Sequence, residues 1–109
     1  MAYNEQLALK VRKSLEHVAN VKEKKMFGGL AFMVNDKICV TVGKDRIMCR
    51  IDASEYNDLI KREGTQKVIM KNREYKGYIR VKEEMLSNKK EFNFWIKKAL
   101  DYNEKIIEG

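Results

Sequence analysis

Basic side chains cluster between positions 67 and 82 of this sequence, where they could bind the phosphate groups of a nucleic acid. Six cations oppose a single acid, Glu74, in that stretch, so its net charge is +5. Two tyrosines are interleaved with the cations, as a surface that stacks bases and contacts phosphates requires. The predicted contact residues are Lys67, Lys71, Arg73, Tyr75, Lys76, Tyr78, Arg80 and Lys82, with Arg46 and Arg50 extending the patch from another strand.

The same cluster has a second interpretation, in which lysine and arginine protect an edge hairpin from aggregation. The whole chain carries a formal charge of +7 with a pI near 9.4. Such a charge favours anionic partners, but it also serves solubility alone. No helix-turn-helix, zinc-finger or ribonucleoprotein motif accompanies the patch, so both interpretations stay open.

Side chains that could perform catalysis or bind a metal are few. His17 is the only histidine, and we expect it to be solvated on the polar side of the first helix. Cys39 and Cys49 with one distant histidine do not make a zinc site. Strand alternation places the two cysteines on opposite faces, so we expect small buried residues and no disulfide. The sequence predicts no catalytic residue, no cofactor and no metal, and an enzyme with an unrecognised site is the weakest hypothesis.

The segment around Gly28 and Gly29 is the apolar centre of the sequence. A phosphate-binding loop needs further glycines or a Gly-Lys-Ser/Thr ending followed by a helix, which this pair lacks. Alternate positions of Phe27–Val34 are apolar on both sides, which is typical of a strand buried on both faces. We therefore expect an interior strand between the first and last helices, whose glycines serve a bulge or a close backbone approach.

Hydrophobic periodicity and turn residues predict an α+β domain with the order α-β(3)-α-β(2)-α, an antiparallel sheet flanked by helices. A Lys-rich connection, 22–25, follows the first helix. Asp52 opens the short second helix, and Asn88 caps the last one. The predicted elements are a helix at 3–21, strands at 27–34, 37–42 and 46–51, a short helix that Gly64 ends, strands at 67–71 and 78–81, and a final helix whose apolar stripe runs from Phe92 to Ile107.

Length and composition predict one domain, residues 1–109, in the cytoplasm. The start of the sequence has no signal-peptide pattern, and no apolar run reaches the roughly 20 residues that span a bilayer. We therefore expect reduced thiols and no membrane contact. Open sheet edges, with Phe94 and Tyr102 lying off the main stripe of the last helix, make a homodimer plausible.

Two motifs and a tryptophan resemble the TfoX N-terminal domain family, relatives of the TfoX/Sxy regulators of bacterial competence for DNA uptake. The likeness covers essentially the whole chain in order. Its structural motif residues here are Met26, Phe27, Gly28, Gly29 and Gly77. They lie in Lys25-Met26-Phe27-Gly28-Gly29 with the strand that follows, and in Lys76-Gly77-Tyr78-Ile79-Arg80-Val81 ahead of the helix bearing Trp95.

The resemblance implies a fold similar to secretion chaperones and a non-enzymatic role in the transcription of competence genes. The sequence departs from the family pattern in one respect, since full regulators carry a second, C-terminal helical domain and this sequence ends at Gly109, so we expect a stand-alone N-terminal domain. The leading hypothesis is a regulatory module that binds a protein partner. Direct nucleic-acid binding through the 67–82 surface is the alternative.

Overall fold

A six-stranded antiparallel sheet forms the body of the protein, for which a computed structural model describes residues 3–26 and 28–108. The elements are α1 (Glu5–Ser14), β1 (Val21–Met26), β2 (Gly29–Val34), β3 (Lys37–Val42), β4 (Arg46–Arg50), a 3-10 turn (Ala53–Glu55), α2 (Tyr56–Leu59), β5 (Thr65–Met70), β6 (Arg73–Lys82), α3 (Glu83–Leu86) and α4 (Lys89–Glu108). The strand order is β1-β2-β3-β4-β6-β5. The predicted α+β class and the antiparallel sheet with helices are confirmed.

The first strand, β1, was not predicted, and the first helix ends earlier than its pattern indicates. Val21–Met26 pairs with β2 at the sheet edge, where the sequence suggests only a Lys-rich connection. Four of its six residues are exposed, so the strand lacks the apolar alternation that identifies strands. Lysines on an edge strand are a common protection against pairing with another chain. The order is therefore α-β(4)-α-β(2), followed by two helices.

Two tight turns fix the register of the hairpins. Asn35 and Asp36 have φ values of 52° and 65°, which allow the two-residue turn predicted between β2 and β3. Lys71 and Asn72 have φ values of 52° and 61° and make the same kind of turn between β5 and β6. Lys71 is thus a turn residue, whereas the sequence pattern predicted it as the last residue of the strand at 67–71.

The helices pack on one face of the sheet, which we call the covered face. Phe32, Val40, Cys49 and Ile79 are successive partners across β2, β3, β4 and β6, and all are fully buried. They belong to one apolar cluster with Val11 of α1 and Trp95 of α4. The expectation that the first and last helices sandwich the glycine-bearing strand from opposite sides is wrong.

The opposite face, which we call the open face, carries a second row of partners. Ala31, Thr41, Met48 and Arg80 follow one another across the same four strands. Ala31, Thr41 and Met48 are buried, although they lie outside the cluster beneath the helices. Strand β2 is therefore protected on both faces, as its sequence predicts, but by helices on one face only.

Glycine is required at positions 28 and 29 for two different structural reasons. Gly28 lies in the turn between β1 and β2 with φ +68°, so it is not inside a strand as predicted. A Cβ on Gly29 would lie 2.2 Å from the carbonyl oxygen of Val42 in β3. The predicted close backbone approach is confirmed at Gly29. Phe27, the residue before them, falls outside the described residues.

The second and the last predicted helical segments begin at their predicted caps. The Asp52 carboxylate accepts a hydrogen bond from the Ser54 amide at 2.9 Å and begins the 3-10 turn that leads into α2. The Asn88 side chain accepts bonds from the first amides of α4, with Lys90 at 2.9 Å. Ile107, predicted on the apolar stripe of this helix, is instead 44% exposed.

Candidate functional site

The residues of the predicted basic patch do not form one surface, because the sheet places them on different faces and edges. Arg46 of β4 lies directly opposite Lys82 of β6, and Arg80 lies opposite Met48. These three cations therefore share the open face. Burial, together with the nearby guanidinium of Arg46, lowers the pKa of Arg80 below its ordinary value.

The remaining cations surround the outer end of the β5–β6 hairpin, residues 65–82, which we call the basic hairpin. Lys71 is exposed in the turn, and Arg73 and Lys76 are exposed on β6. Lys67 pairs with Ile79, so its position belongs to the covered-face side of the edge strand β5. The basic hairpin thus presents positive charge around its rim rather than on one plane.

The charges of the basic hairpin lack carboxylate partners. Within the described part of the chain, none of its six cations takes part in a salt bridge, whereas cations of α1, β1 and α4 do. The one acid of the segment, Glu74, accepts a hydrogen bond from the Tyr56 hydroxyl at 3.0 Å instead. These cations are consequently free to pair with an external anion.

The two tyrosines of the patch have different surroundings. The guanidinium carbon of Arg50 lies 6.0 Å from the ring centre of Tyr78 and 5.8 Å from that of Tyr102 in α4. Arg50 is therefore engaged at the end of β4 by two rings, a cation–π arrangement. Tyr75 is half-buried on the basic hairpin. The structure brings Arg46 to the hairpin cations, but it directs Arg50 toward the last helix.

A cavity of about 390 Å³ opens on the open face between the first turn of the sheet and the basic hairpin. Its wall includes Thr41, Met48 and Met70 as well as the guanidinium-bearing side chains of Arg46 and Arg80. Thr41 is only 5% exposed, and its Oγ1 has no hydrogen-bond partner among the described residues. Sequence reasoning missed Thr41 because a threonine in a strand is ordinary until the register of all four strands is known.

Neither cysteine is placed for nucleophilic chemistry. Both thiols are free and buried. Cys39 is the extra residue of a bulge between β2 and β3. The bulge places its side chain in the same apolar cluster as Cys49. The expectation that the two cysteines lie on opposite faces is therefore wrong. Burial raises the pKa of Cys39 to about 12 and also raises that of Cys49. Both thiols therefore stay protonated at neutral pH.

The other chemically interesting side chains are scattered. His17 is exposed in the turn after α1 rather than on the helix. Among the described residues, no group of three or more His, Cys, Asp or Glu side chains converges as metal ligands would. In the same part of the chain, no helix combines the length and the apolar character needed to cross a membrane.

The motif residues that suggested the family have structural roles in the backbone of the sheet. Met26 ends β1 opposite Gly29, and the Gly77 carbonyl accepts a hydrogen bond from the Ile51 amide at 2.9 Å. A family model of the TfoX N-terminal domain matches residues 13–102. The chain belongs to this family, which is a non-catalytic regulatory family. No curated protein and no solved structure matches the chain, so the likeness to secretion chaperones stays a prediction.

Proposed function

We propose that this chain is a non-enzymatic regulatory module that binds the phosphate backbone of nucleic acid in the cytoplasm through its basic hairpin. The observation that carries the proposal is the set of hairpin cations without carboxylate partners. Lysines and arginines that pair with no internal acid retain their full attraction for external phosphates. The family membership supports regulation rather than catalysis, and control of competence genes is the regulatory role that we propose.

The geometry of the basic hairpin favours contact with the backbone over reading of bases. Its cations lie around the rim of an extended hairpin, and Tyr75 is the ring left for stacking on a base. Backbone contacts fix register and orientation without carrying sequence information. We therefore expect binding with little sequence preference, on single strands as well as duplexes.

The test is titration of a labelled duplex and a labelled single strand at several salt concentrations. The logarithm of the binding constant should fall linearly with the logarithm of salt concentration, with a slope of about 0.9 per phosphate neutralised on a duplex. Replacing Lys71, Arg73 and Lys76 together by glutamine should weaken binding and reduce this slope by about 2 to 3.

A matched control removes the same charge elsewhere. Lys13, Lys89 and Lys90 are also exposed and form no salt bridge among the described residues. Replacing these three by glutamine should leave the slope nearly unchanged, because they lie on α1 and at the start of α4. Equal losses in both triple variants, or no binding of the unaltered protein at low salt, would contradict the proposal.

A protein partner is the second candidate, and an apolar groove near the end of α4 favours it. Val18, Val34, Leu100 and Ile107 line a groove of about 380 Å³, and Ile107 is 44% exposed. An exposed isoleucine beside an apolar groove suits the apolar face of a partner helix. Affinity capture in the presence of nuclease should then recover a protein with the unaltered chain but not with Ile107→Asp. Sedimentation of the pure protein would reveal whether a second copy occupies the groove.

A further inference from the structure

A residue that lines the cavity on the open face carries a buried hydroxyl group without a hydrogen-bond partner among the described residues. Thr41 is 5% exposed and lines the cavity, and its Oγ1 is unpaired within the described ranges. Buried polar side chains in native proteins nearly always have a hydrogen-bond partner, because an unmet one is destabilising. A ligand that supplies the missing partner would account for a threonine at this position.

Two guanidinium groups define the charge that such a ligand must carry. Arg80 shares the row of Thr41 across the sheet and has no salt bridge among the described residues. Nη1 of Arg46 lies 3.1 Å from Oδ1 of Asp45, whose carboxylate also lines the cavity. The positive charge of Arg46 is therefore partly compensated. The two arginines are close enough for Arg46 to lower the pKa of Arg80. An anion between them would replace this repulsion by charge-assisted hydrogen bonds.

The number of donors favours a phosphate over a carboxylate. Two guanidinium groups and a hydroxyl offer more hydrogen bonds than the two oxygens of a carboxylate can accept in one place, whereas a phosphate monoester has three terminal oxygens. Lys44 in the turn after β3 adds another positive charge to the wall.

The remaining wall defines the body of the ligand. Met48 and Met70 lie on the cavity, and methionine sulfur makes favourable contacts with aromatic rings. Gly29 and Val42 also line the cavity, and the absence of a side chain at Gly29 allows the backbones of β2 and β3 to approach closely there. A volume of about 390 Å³ lies in the range of small-molecule sites.

We propose that this cavity binds a small phosphate monoester with a flat apolar body. The phosphate bonds to Arg46 and Arg80 and to the Thr41 hydroxyl, and the body rests on Met48 and Met70. The cavity shares Arg80 with the basic hairpin, but the proposal does not depend on nucleic-acid binding.

The experiment measures binding of adenosine monophosphate, ribose 5-phosphate and adenosine by calorimetry and by amide chemical shifts. The monophosphate should bind most tightly, the sugar phosphate more weakly, and the nucleoside without phosphate not measurably. Arg80→Gln should weaken binding of the monophosphate by about tenfold or more, and Thr41→Val by about fivefold. The amides of Gly29 and Thr41 should shift on binding.

Lys76→Gln, at an exposed position of β6 outside the cavity wall, serves as the control for lost charge. It should weaken oligonucleotide binding and leave the monophosphate affinity unchanged, so the two proposals fail separately. Equal affinity for adenosine and its monophosphate, or affinity unaffected by both cavity variants, would overturn this proposal. A third result would also overturn it: no measurable binding of the monophosphate, together with a loss of oligonucleotide affinity in the Thr41→Val variant.

Discussion

The covered and open faces of the sheet differ in what protects their strands from water. On the covered face, the row through Phe32, Val40 and Cys49 is buried beneath α1 and α4. On the open face, the row beside it passes through Thr41 and ends in the half-buried Arg80. The same four strands therefore carry an apolar core on one side and a polar, charged surface around a cavity on the other.

This difference separates stability from binding within one sheet. An apolar row beneath helices contributes through burial, at roughly 25 cal/mol per Å² of apolar surface removed from water. A row with an unpaired hydroxyl and a charged arginine contributes less to stability, because both groups lose hydration on burial. For residues placed at such a cost to stability, a binding role is the simplest physical explanation.

The largest contrast between the faces is expected at neighbouring residues of β2. Phe32 is fully buried on the covered face, whereas Met33 is half-buried on the open face. Phe32→Ala should lower the free energy of unfolding by about 3–5 kcal/mol, because it leaves a cavity in the core. Met33→Ala should cost about 1 kcal/mol or less, since part of its side chain already contacts water. Chemical denaturation of both variants tests the contrast, and similar losses would show that the open face is also a core.

The second contrast concerns two glycines of the family motifs. Gly29→Ala should destabilise the protein by about 1–3 kcal/mol, because the new Cβ would meet the Val42 carbonyl in the rigid backbone of β3. A Cβ added at Gly77 would meet no atom within 4 Å, and this glycine does not have a positive φ. Gly77→Ala should therefore be neutral or stabilising by up to about 1 kcal/mol. Thermal unfolding distinguishes the two, and a neutral Gly29→Ala would remove the steric reason given for this glycine.

The covered face was largely predictable from the sequence, because its signals are local. Strand β3 has the predicted bounds, Lys37–Val42, since alternation and flanking turns define it. The stripe from Phe92 to Ala99 is buried as its helical spacing predicts. Strand β1 escaped prediction because an exposed edge strand needs no apolar side chains, and its lysines are equally typical of a loop.

The open face could not be predicted in the same way, because its cavity depends on register across distant strands. Thr41 meets Met48 through one hairpin, but Arg80 reaches that row only because β6 pairs with β4 after a crossover. The bulge at Cys39 also reverses the face that simple alternation assigns. The cations of residues 67–82 were visible in the sequence, whereas their division between the open face and the hairpin end was not.

A smaller effect of opposite sign is expected at Thr41. Thr41→Val keeps the shape of the side chain and removes an unpaired buried hydroxyl, so it should raise the free energy of unfolding by about 1 kcal/mol. Thr65→Val is the matched control, because the single Thr65 hydroxyl proton has acceptors within reach, the carbonyl of Arg62 at 2.7 Å or that of Ile60 at 2.9 Å. The control should lose about 1 kcal/mol. A destabilised Thr41→Val would mean that this hydroxyl is satisfied in solution.

The smallest effect is expected at the rim of the covered face, where ion pairs attach α4 to the segment after β4. Lys105 and the Ser54 amide and hydroxyl hold the pKa of Asp52 at about 2, below its ordinary 3.8. Because the folded pKa is lowered, this contribution to stability is complete above the ordinary pKa and is lost as the pH falls through the folded pKa. Asparagine is as good a cap as aspartate, so Asp52→Asn removes the charge while it preserves the cap. Its stability should therefore fall below that of the unaltered protein near neutral pH and converge with it only below about pH 2. A gap that persists at still lower pH would assign the loss to capping rather than to the ion pair.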